Sequence, residues 1–201
     1  MGLLSVDEDG LARCSWGATS EIYRRYHDEE WGRPVHGDDA VFERLTLEAF
    51  QSGLSWLTIL RKRESFRAAF AGFSIPRIAG FGPADTARLL ADPGIVRNRA
   101  KIAATIANAR AAARLLERDG DGALDRLLWS HRPPREREPS DPIPATTAES
   151  VALARALKRE GFVFVGPTTA YAAMQAMGVV NDHVEGCHFA SPRSAARLRR
   201  N

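Results

Sequence analysis

The two cysteines of this chain lie near its opposite ends, and each has a histidine close to it in sequence. Cys14 precedes His27, while His183 precedes Cys187 by four residues, so one helical turn or a compact loop would point that second pair the same way. Two thiolates and two imidazoles are the ligands of a closed, tetrahedral structural zinc site. One zinc ion held by these four side chains would join the two ends of the chain, and no other sequence feature constrains the fold as much.

Two other interpretations of the cysteines stay open at this level. Both could be free buried thiols, because cysteine packs like a small hydrophobic residue. They could also form one disulfide, although a chain without a secretory signal is expected in a reducing compartment. The spacing between the two pairs does not match a regular zinc finger, so the cysteine pattern alone does not choose among the three.

Length, composition and the N-terminal sequence predict a cytoplasmic protein. The 201 residues are 44% hydrophobic, which is enough for one core or two small lobes. The apolar runs are too short to span a bilayer, and residues 1–9 carry neither a cationic start nor a cleavage signature. The net charge is only +3, but arginine greatly outnumbers lysine. That excess fits a polyanionic partner, although genomic composition alone would also produce it.

Hydrophobic periodicity predicts an all-α fold. Asp38 begins one helix as an N-terminal cap and Gly53 ends it, while Pro83 stands in the first turn of another. Residues 162–165 resemble a strand, but a lone strand has no partner, so an extended loop is expected there. The predicted helices cover residues 38–52, 54–71, 83–91, 97–118, 123–129, 147–160 and 167–178.

The predicted domain organisation is simple. Residues 1–12 are expected to form a disordered extension, and residues 13–190 a single helical domain with two lobes. The proline-rich stretch 131–146 would connect the lobes. Residues 191–201 form a basic tail that is expected to be flexible.

Glu48 is placed unusually for a carboxylate. Val41, Leu45 and Glu48 follow one another at helical spacing, and the flanking positions make this helix apolar almost all round. A buried carboxylate is costly unless it is hydrogen-bonded, paired or protonated. Glu48 either bonds a neighbouring backbone group or lies at the floor of a pocket for a cationic or donor-rich ligand.

Aromatic residues crowd the same part of the sequence. Tyr23 and Tyr26 are three residues apart and would share a helix face, and Trp16, Trp31 and Trp56 lie nearby. Aromatic side chains are most often core residues. Around a carboxylate, however, they also suit a planar cationic ligand through stacking and cation–π attraction.

Residues 92–102 lie between two predicted helices and form a helix-hairpin-helix. The tight turn at Gly94 can expose backbone N–H groups at the start of the next helix, where phosphate binds well. Arg97, Arg99 and Lys101 add positive charge there. Such joints are common in helical proteins, so this segment alone indicates little.

Together these segments strongly resemble the 3-methyladenine DNA glycosylase I family of the helix-hairpin-helix superfamily. The likeness runs from about Arg13 to about His188. The matching motifs, in order, are RCSW at 13–16, YHDEEWG at 26–32, QSGLSW at 51–56, GIVRNRAKI at 94–102 and NDHVEGC at 181–187.

The resemblance implies roles for these residues. It assigns one structural zinc ion to Cys14, His27, His183 and Cys187. Glu48 would be the catalytic residue and would surround the methylated base together with four aromatic residues: Tyr26, Trp56, Tyr23 and Trp16. Residues that contact the DNA would fill the gap, wedge the duplex and bind phosphates: Gln51, Leu54, Gly94, Arg97, Arg99 and Lys101.

The activity implied is that of a monomeric DNA repair enzyme. It would flip 3-methyladenine out of double-stranded alkylated DNA and excise it by hydrolysis, leaving an abasic site without cutting the strand. Two rivals are a non-catalytic zinc-stabilised DNA-binding module and a glycosylase for another alkylated purine. Glu48 among aromatic residues argues against the binding module, because a phosphate binder gains nothing from an acidic apolar pocket.

Overall fold

The computed structural model describes residues 3–135 and 143–190, and these residues fold into nine α-helices and one short β-hairpin. The mainly helical fold predicted from the sequence is confirmed. None of the helices described is both long and apolar enough to cross a membrane. The elements are β1 (Leu4–Val6), β2 (Ala12–Cys14), α1 (Glu21–Glu29), α2 (Asp38–Gln51), α3 (Trp56–Ala69), α4 (Ile75–Ala79), α5 (Pro83–Ala91), α6 (Arg99–Asp119), α7 (Ala123–Trp129), α8 (Ala148–Arg159) and α9 (Pro167–Ala176).

Local capping explains why most helices begin where the sequence predicts. The Asn98 side chain accepts the backbone N–H of Lys101 and starts α6, and Thr147 forms a capping box with Ser150 at the start of α8. Pro167 stands in the first turn of α9. The observed ends differ from the predicted ones by a few residues at most.

Two local features depend on contacts from distant residues. The five-residue helix α4 was not predicted; its first N–H, that of Ile75, donates to Asp39 at 2.9 Å. Residues 162–165 form no strand, as predicted. Instead the Asn108 side chain bonds both the N–H and the carbonyl of Val163, at 2.8 and 3.0 Å.

The N-terminal segment differs from the expected disorder. Strands β1 and β2 pair antiparallel, with Leu4 opposite Cys14. The Arg13 side chain is buried and binds Asp7, Asp9 and Asp28. Residues 3–12 are therefore tied to the helical body through charge pairs that helical periodicity does not reveal. Residues 136–142 of the proline-rich stretch and the tail, 191–201, lie outside the described residues, and the division into two lobes stays a prediction.

Helix α2 lies at the centre of the fold. It packs against α3, α6, α7 and α9, and Phe42, Leu47 and Phe50 are fully buried along it. A helix covered on nearly every side leaves little access to its polar positions. Glu48 is consequently enclosed by protein except where a cavity reaches it.

Candidate functional site

The four predicted metal ligands meet in one buried cluster. Their ligand atoms all lie within 4.8 Å of one another. The Cys187 sulfur is 3.5 Å from His27 Nε2 and 3.5 Å from His183 Nδ1, and the Cys14 sulfur is 3.7 Å from His183 Nδ1. The two cysteines are free thiols rather than a disulfide, and the cluster could hold a metal ion.

The second ring nitrogen of each histidine is fixed by a neighbour. His27 Nδ1 lies 2.7 Å from a carboxylate oxygen of Asp28, and that carboxylate is in turn gripped by two nitrogens of Arg13. His183 Nε2 lies 3.3 Å from the carbonyl oxygen of Trp31. Such partners fix the tautomer, so His27 offers Nε2 and His183 offers Nδ1 to the centre of the cluster.

Glycine allows the chain to close around this cluster. A Cβ atom on Gly17 would lie 2.7 Å from the His27 ring, so only glycine lets the turn after β2 approach so closely. Gly186 has a φ of +81°, in the left-handed region, between the two C-terminal ligands. A glycine in each turn therefore lets the two ends of the chain approach the cluster.

The donor set suits a soft or borderline cation. Each thiol alters the other: the hydrogen bond between them, aided by the two histidines, lowers the pKa of Cys187, while the same bond and burial raise the pKa of Cys14. The protein alone therefore favours one thiolate, and a cation at the centre would make both cysteines thiolates. Two sulfur and two nitrogen donors in a closed tetrahedral set fit zinc.

A cavity of about 480 Å³ lies beside this cluster, and Glu48 is at its floor. The Glu48 side chain is 6% exposed and makes no hydrogen bond with any residue that the structure describes. Burial raises its pKa to about 8, against the opposing charge of Arg44. The cavity is lined by Trp16, Thr19, Tyr23, Tyr26, Trp31, Glu48, Gln51, Trp56, Ile143, Ala172 and Gln175.

Aromatic rings form the walls of the cavity. Tyr26 and Trp56 lie with ring centroids 5.4 Å apart, and the ring of Trp16 lies 5.8 Å from that of Tyr23. The Tyr23 hydroxyl accepts the backbone N–H of Leu57 at 3.0 Å, which fixes it against the start of α3. All five residues predicted to surround a base therefore line one cavity.

The same aromatic cluster reaches the metal ligands. Trp16 lies 5.1 Å from the His27 ring and 5.0 Å from Trp31, and Trp31 lies 4.7 Å from His183. Trp16 and Trp31 thus have one side on the cavity and one on the metal cluster. The two sites share a wall.

The predicted DNA-contacting residues divide into two groups. Gln51 and Leu54 stand at the end of α2 and in the following turn; Gln51 lines the cavity, and Leu54 is 41% exposed. Arg97 and Arg99 are exposed at the beginning of α6. These four positions present side chains at the surface.

Gly94 and Lys101 make contacts within the protein. A Cβ atom on Gly94 would lie 2.9 Å from Ser65, so the hairpin packs closely on α3. The Lys101 ammonium is buried and donates to the carbonyls of Phe50 and Ser52 at 2.8 and 2.6 Å. Lys101 therefore joins the hairpin to the end of α2, a geometry that does not point it toward a phosphate.

The sequence did not identify Gln175 and Asp28 as residues of the two sites. Gln175 lines the cavity and donates to the buried carboxylate of Asp182 at 2.7 Å. Asp28 was noticed only as part of a motif, although it follows His27 directly and a carboxylate beside a ligand is a usual outer partner. Gln175 carried no such signal, because its approach to α2 is purely tertiary.

Comparisons with known proteins find relatives that match most of this chain. A family model described as methyladenine glycosylase matches residues 16–191. The DNA-3-methyladenine glycosylase 1 of Escherichia coli K12 is 44% identical over 181 residues, covering 88% of this chain and 96% of that protein. The DNA-3-methyladenine glycosylase of Haemophilus influenzae is 42% identical over 179 residues, covering 87% and 96%.

Solved structures share the fold. A crystal structure of a 3-methyladenine DNA glycosylase I gives a TM-score of 0.83 at 45% identity, covering 90% of this chain and 100% of that one. A structure of the Staphylococcus aureus enzyme that addresses 3-methyladenine recognition gives 0.81 at 30% identity, covering 90% and 96%. The likeness extends over most of the chain in both sequence and fold.

Proposed function

This chain belongs to the methyladenine glycosylase family, and we propose that its aromatic cavity receives a 3-methyladenine base flipped out of alkylated duplex DNA. The enzyme acts in DNA repair as a glycosylase, hydrolysing the N-glycosyl bond between this base and the sugar. The observation that carries the assignment of the site is the Glu48 carboxyl, which lies without a hydrogen-bond partner in the described residues at the floor of an aromatic cavity.

The chemistry of the lesion explains why such a cavity suffices. Methylation at N3 makes the attached adenine cationic and weakens its glycosidic bond. As the bond breaks, its electron pair goes to the base, which leaves neutral, and positive charge passes to the sugar. Water then adds to the sugar and loses a proton, leaving an abasic site. Because the leaving base needs no added proton, no strong general acid is required.

Glu48 is the proposed catalytic residue. Its carboxylate would accept hydrogen bonds from the amino edge of the base and attract the cationic ring into a cavity that excludes most water. Tyr26 and Trp56 would stack on the base, each such contact being worth about 1–3 kcal/mol. Tyr23 and Trp16 would close the remaining wall.

The surface residues would hold the distorted duplex. Gln51 and Leu54 would fill the gap that the flipped nucleotide leaves. Extrusion of a base costs a few kcal/mol, which such contacts would offset. Arg97, Arg99 and the first N–H groups of α6 would bind phosphate near Gly94. Lys101 would contribute by fixing the hairpin against α2.

We also propose that the buried cluster holds one zinc ion. Cys14, His27, His183 and Cys187 would occupy all four positions of a tetrahedral shell, which leaves no place for water and makes the role structural. The zinc ion would cross-link the two ends of the helical body. We further propose that the enzyme works as a monomer in the cytoplasm.

The test is to incubate the protein with N-methylated duplex DNA and identify the released bases by chromatography. We expect release of 3-methyladenine alone. Release of 7-methylguanine as well would show a broader cavity, and no release by zinc-containing, DNA-binding protein would favour a binding module. No lysine lines the cavity among the described residues, so no borohydride-trapped adduct with DNA is expected.

A further inference from the structure

A half-buried charge triad lies near Tyr26, which lines the base cavity. Glu30, which follows α1, accepts hydrogen bonds from two arginines. Arg44 on α2 binds its Oε2 at 2.8 Å, and Arg63 on α3 binds both carboxylate oxygens at 2.6 and 2.8 Å. Both arginine side chains are only 12% exposed. Burial opposes ionisation here, but the bonds from Arg63 and Arg44 hold the pKa of Glu30 below its ordinary value.

Arg44 connects this triad with the cavity. It lies four residues before Glu48 on α2, so the two side chains share a helix face. One terminal nitrogen of Arg44 binds Glu30, while the other, Nη1, is buried and has no hydrogen-bond partner among the described residues. The positive charge of Arg44 acts on Glu48 and opposes the effect of burial on that carboxyl.

Counting charges shows what this arrangement favours. Two arginines and Glu30 together carry a net charge of +1, and Nη1 of Arg44 is shielded from solvent. An ionised Glu48 is attracted by this positive charge, whereas a protonated Glu48 is not, so the charge of Arg44 favours ionisation. A cationic base entering the cavity needs the ionised form, because a protonated carboxyl offers it no opposite charge.

We propose that Arg44 is a positioning residue that favours the ionised form of Glu48 for the methylated base, and that Glu30 and Arg63 hold Arg44 in place for this task. The proposal rests on the function proposed above for the cavity. It adds a reason for a half-buried ion triad whose members do not line the cavity. The triad supplies charge to Glu48 from behind while leaving the aromatic walls free for the ligand.

Other titratable groups surround Glu48, and none of them can replace Arg44. Lys101 of α6 is engaged by two backbone carbonyls, and Asp182 accepts a hydrogen bond from Gln175 of α9. Burial, and to a smaller extent the charge of Glu48, raises the pKa of Tyr26 above its ordinary value, so this phenol stays neutral. The Tyr23 hydroxyl accepts the backbone N–H of Leu57 on α3.

The experiment compares the pH dependence of 3-methyladenine release by the parental protein, Arg44→Met and Arg44→Lys. Release should rise with pH as Glu48 ionises. We expect the midpoint of that rise to move to higher pH by about one pH unit in Arg44→Met, and the rate at pH 7 to fall by up to about tenfold. Arg44→Lys keeps the charge and should keep the parental midpoint. Glu30 still has Arg63 in either variant, so neither leaves it unpaired.

A ¹³C NMR titration of the Glu48 carboxyl, assigned with Glu48→Gln, measures the same shift without activity. The control is Arg118→Met; Arg118 also binds two carboxylates, but at an exposed position on α6, and its loss should move neither midpoint. An unchanged midpoint in Arg44→Met, or an equal shift in Arg44→Lys, would overturn the proposal. If the parental protein releases no 3-methyladenine, the proposed function fails, while the NMR titration still decides the role of Arg44.

Discussion

The metal cluster and the base cavity share a wall but differ in how their polar atoms are satisfied. In the cluster every histidine has an outer partner, Asp28 for His27 and the Trp31 carbonyl for His183, and the Cys14 sulfur accepts a backbone N–H at 3.5 Å. In the cavity, Glu48 makes no hydrogen bond with the described residues, and its pKa is raised by burial. One site is complete within the chain, whereas the other lacks a partner.

This difference indicates what each site does. A site whose ligands are all fixed by neighbours gains stability from its ion and has no reason to open. A buried carboxyl without partners costs stability and is retained where a ligand completes it. Trp16 and Trp31 touch both sites, so the metal cluster fixes one wall of the cavity that would receive the base.

The largest expected effect comes from removing one ligand of the metal cluster. Cys187→Ala removes one of four ligands, and bound zinc should fall from one ion per chain to none. The free energy of unfolding should fall by several kcal/mol, because metal binding is coupled to folding. Elemental analysis and thermal unfolding measure both, and chelation of the parental protein should cause a similar loss. Equimolar zinc in the variant would contradict the ligand assignment.

A substitution of Glu48 in the base cavity should lower catalysis without unfolding the protein. We expect Glu48→Gln to lower the rate of 3-methyladenine release by about 100-fold, because the charge that favours the transition state is lost. Zinc content should not change. The matched control is Glu117→Gln, which removes the same charge from an exposed position on α6 and should keep the parental rate. Parental activity in Glu48→Gln would rule out the catalytic role.

A smaller effect is expected from the outer partner of His27. Asp28→Asn removes the negative charge beside Nδ1, and zinc affinity should fall by about 10- to 100-fold. Competition with a coloured chelator measures this affinity. Asp121→Asn, at an exposed position far along the sequence, is the control and should bind zinc as the parental protein does. If Asp28→Asn also keeps parental affinity, the orienting role of Asp28 is wrong.

The smallest expected effect is a pH dependence of stability that comes from Glu48. The Glu48 pKa is about 8 in the folded protein against an ordinary value of 4.5. Between these pH values the unfolded chain loses the proton that the folded chain keeps, so rising pH destabilises the fold. Glu48→Gln lacks this penalty.

The variant should therefore gain melting temperature over the parental protein, by a few degrees, as pH rises from 5 to 8, and little more above that. Thermal unfolding across this range measures the difference, with Glu117→Gln as the reference. A difference independent of pH would show that Glu48 ionises normally.

Helix positions were largely predictable from the sequence, because their determinants are local. Asn98 and Thr147 bond N–H groups three residues away, and such contacts form whatever the rest of the chain does. The apolar neighbours of Glu48 likewise predicted its burial. The order of motifs predicted the family, and with it the ligand set that the structure brings together.

The tertiary structure decided the contacts between residues that lie far apart in the chain. Lys101 carries the same charge as Arg99, yet packing against α2 buries it and directs its ammonium to two carbonyls. Neither the hairpin held by Arg13 nor the placement of Gln175 in the cavity follows from local periodicity.

The sequence by itself determined the helices, the burial of Glu48 and the four side chains able to hold a metal. Only the tertiary structure decided that Arg44 stands between Glu30 and Glu48, and that Trp16 joins the cavity to the metal cluster. The physical reason is the distance along the chain over which each interaction acts. Backbone preferences and caps act over three or four residues, whereas ion pairs and ring contacts require whole helices to be brought together by burial of the apolar core.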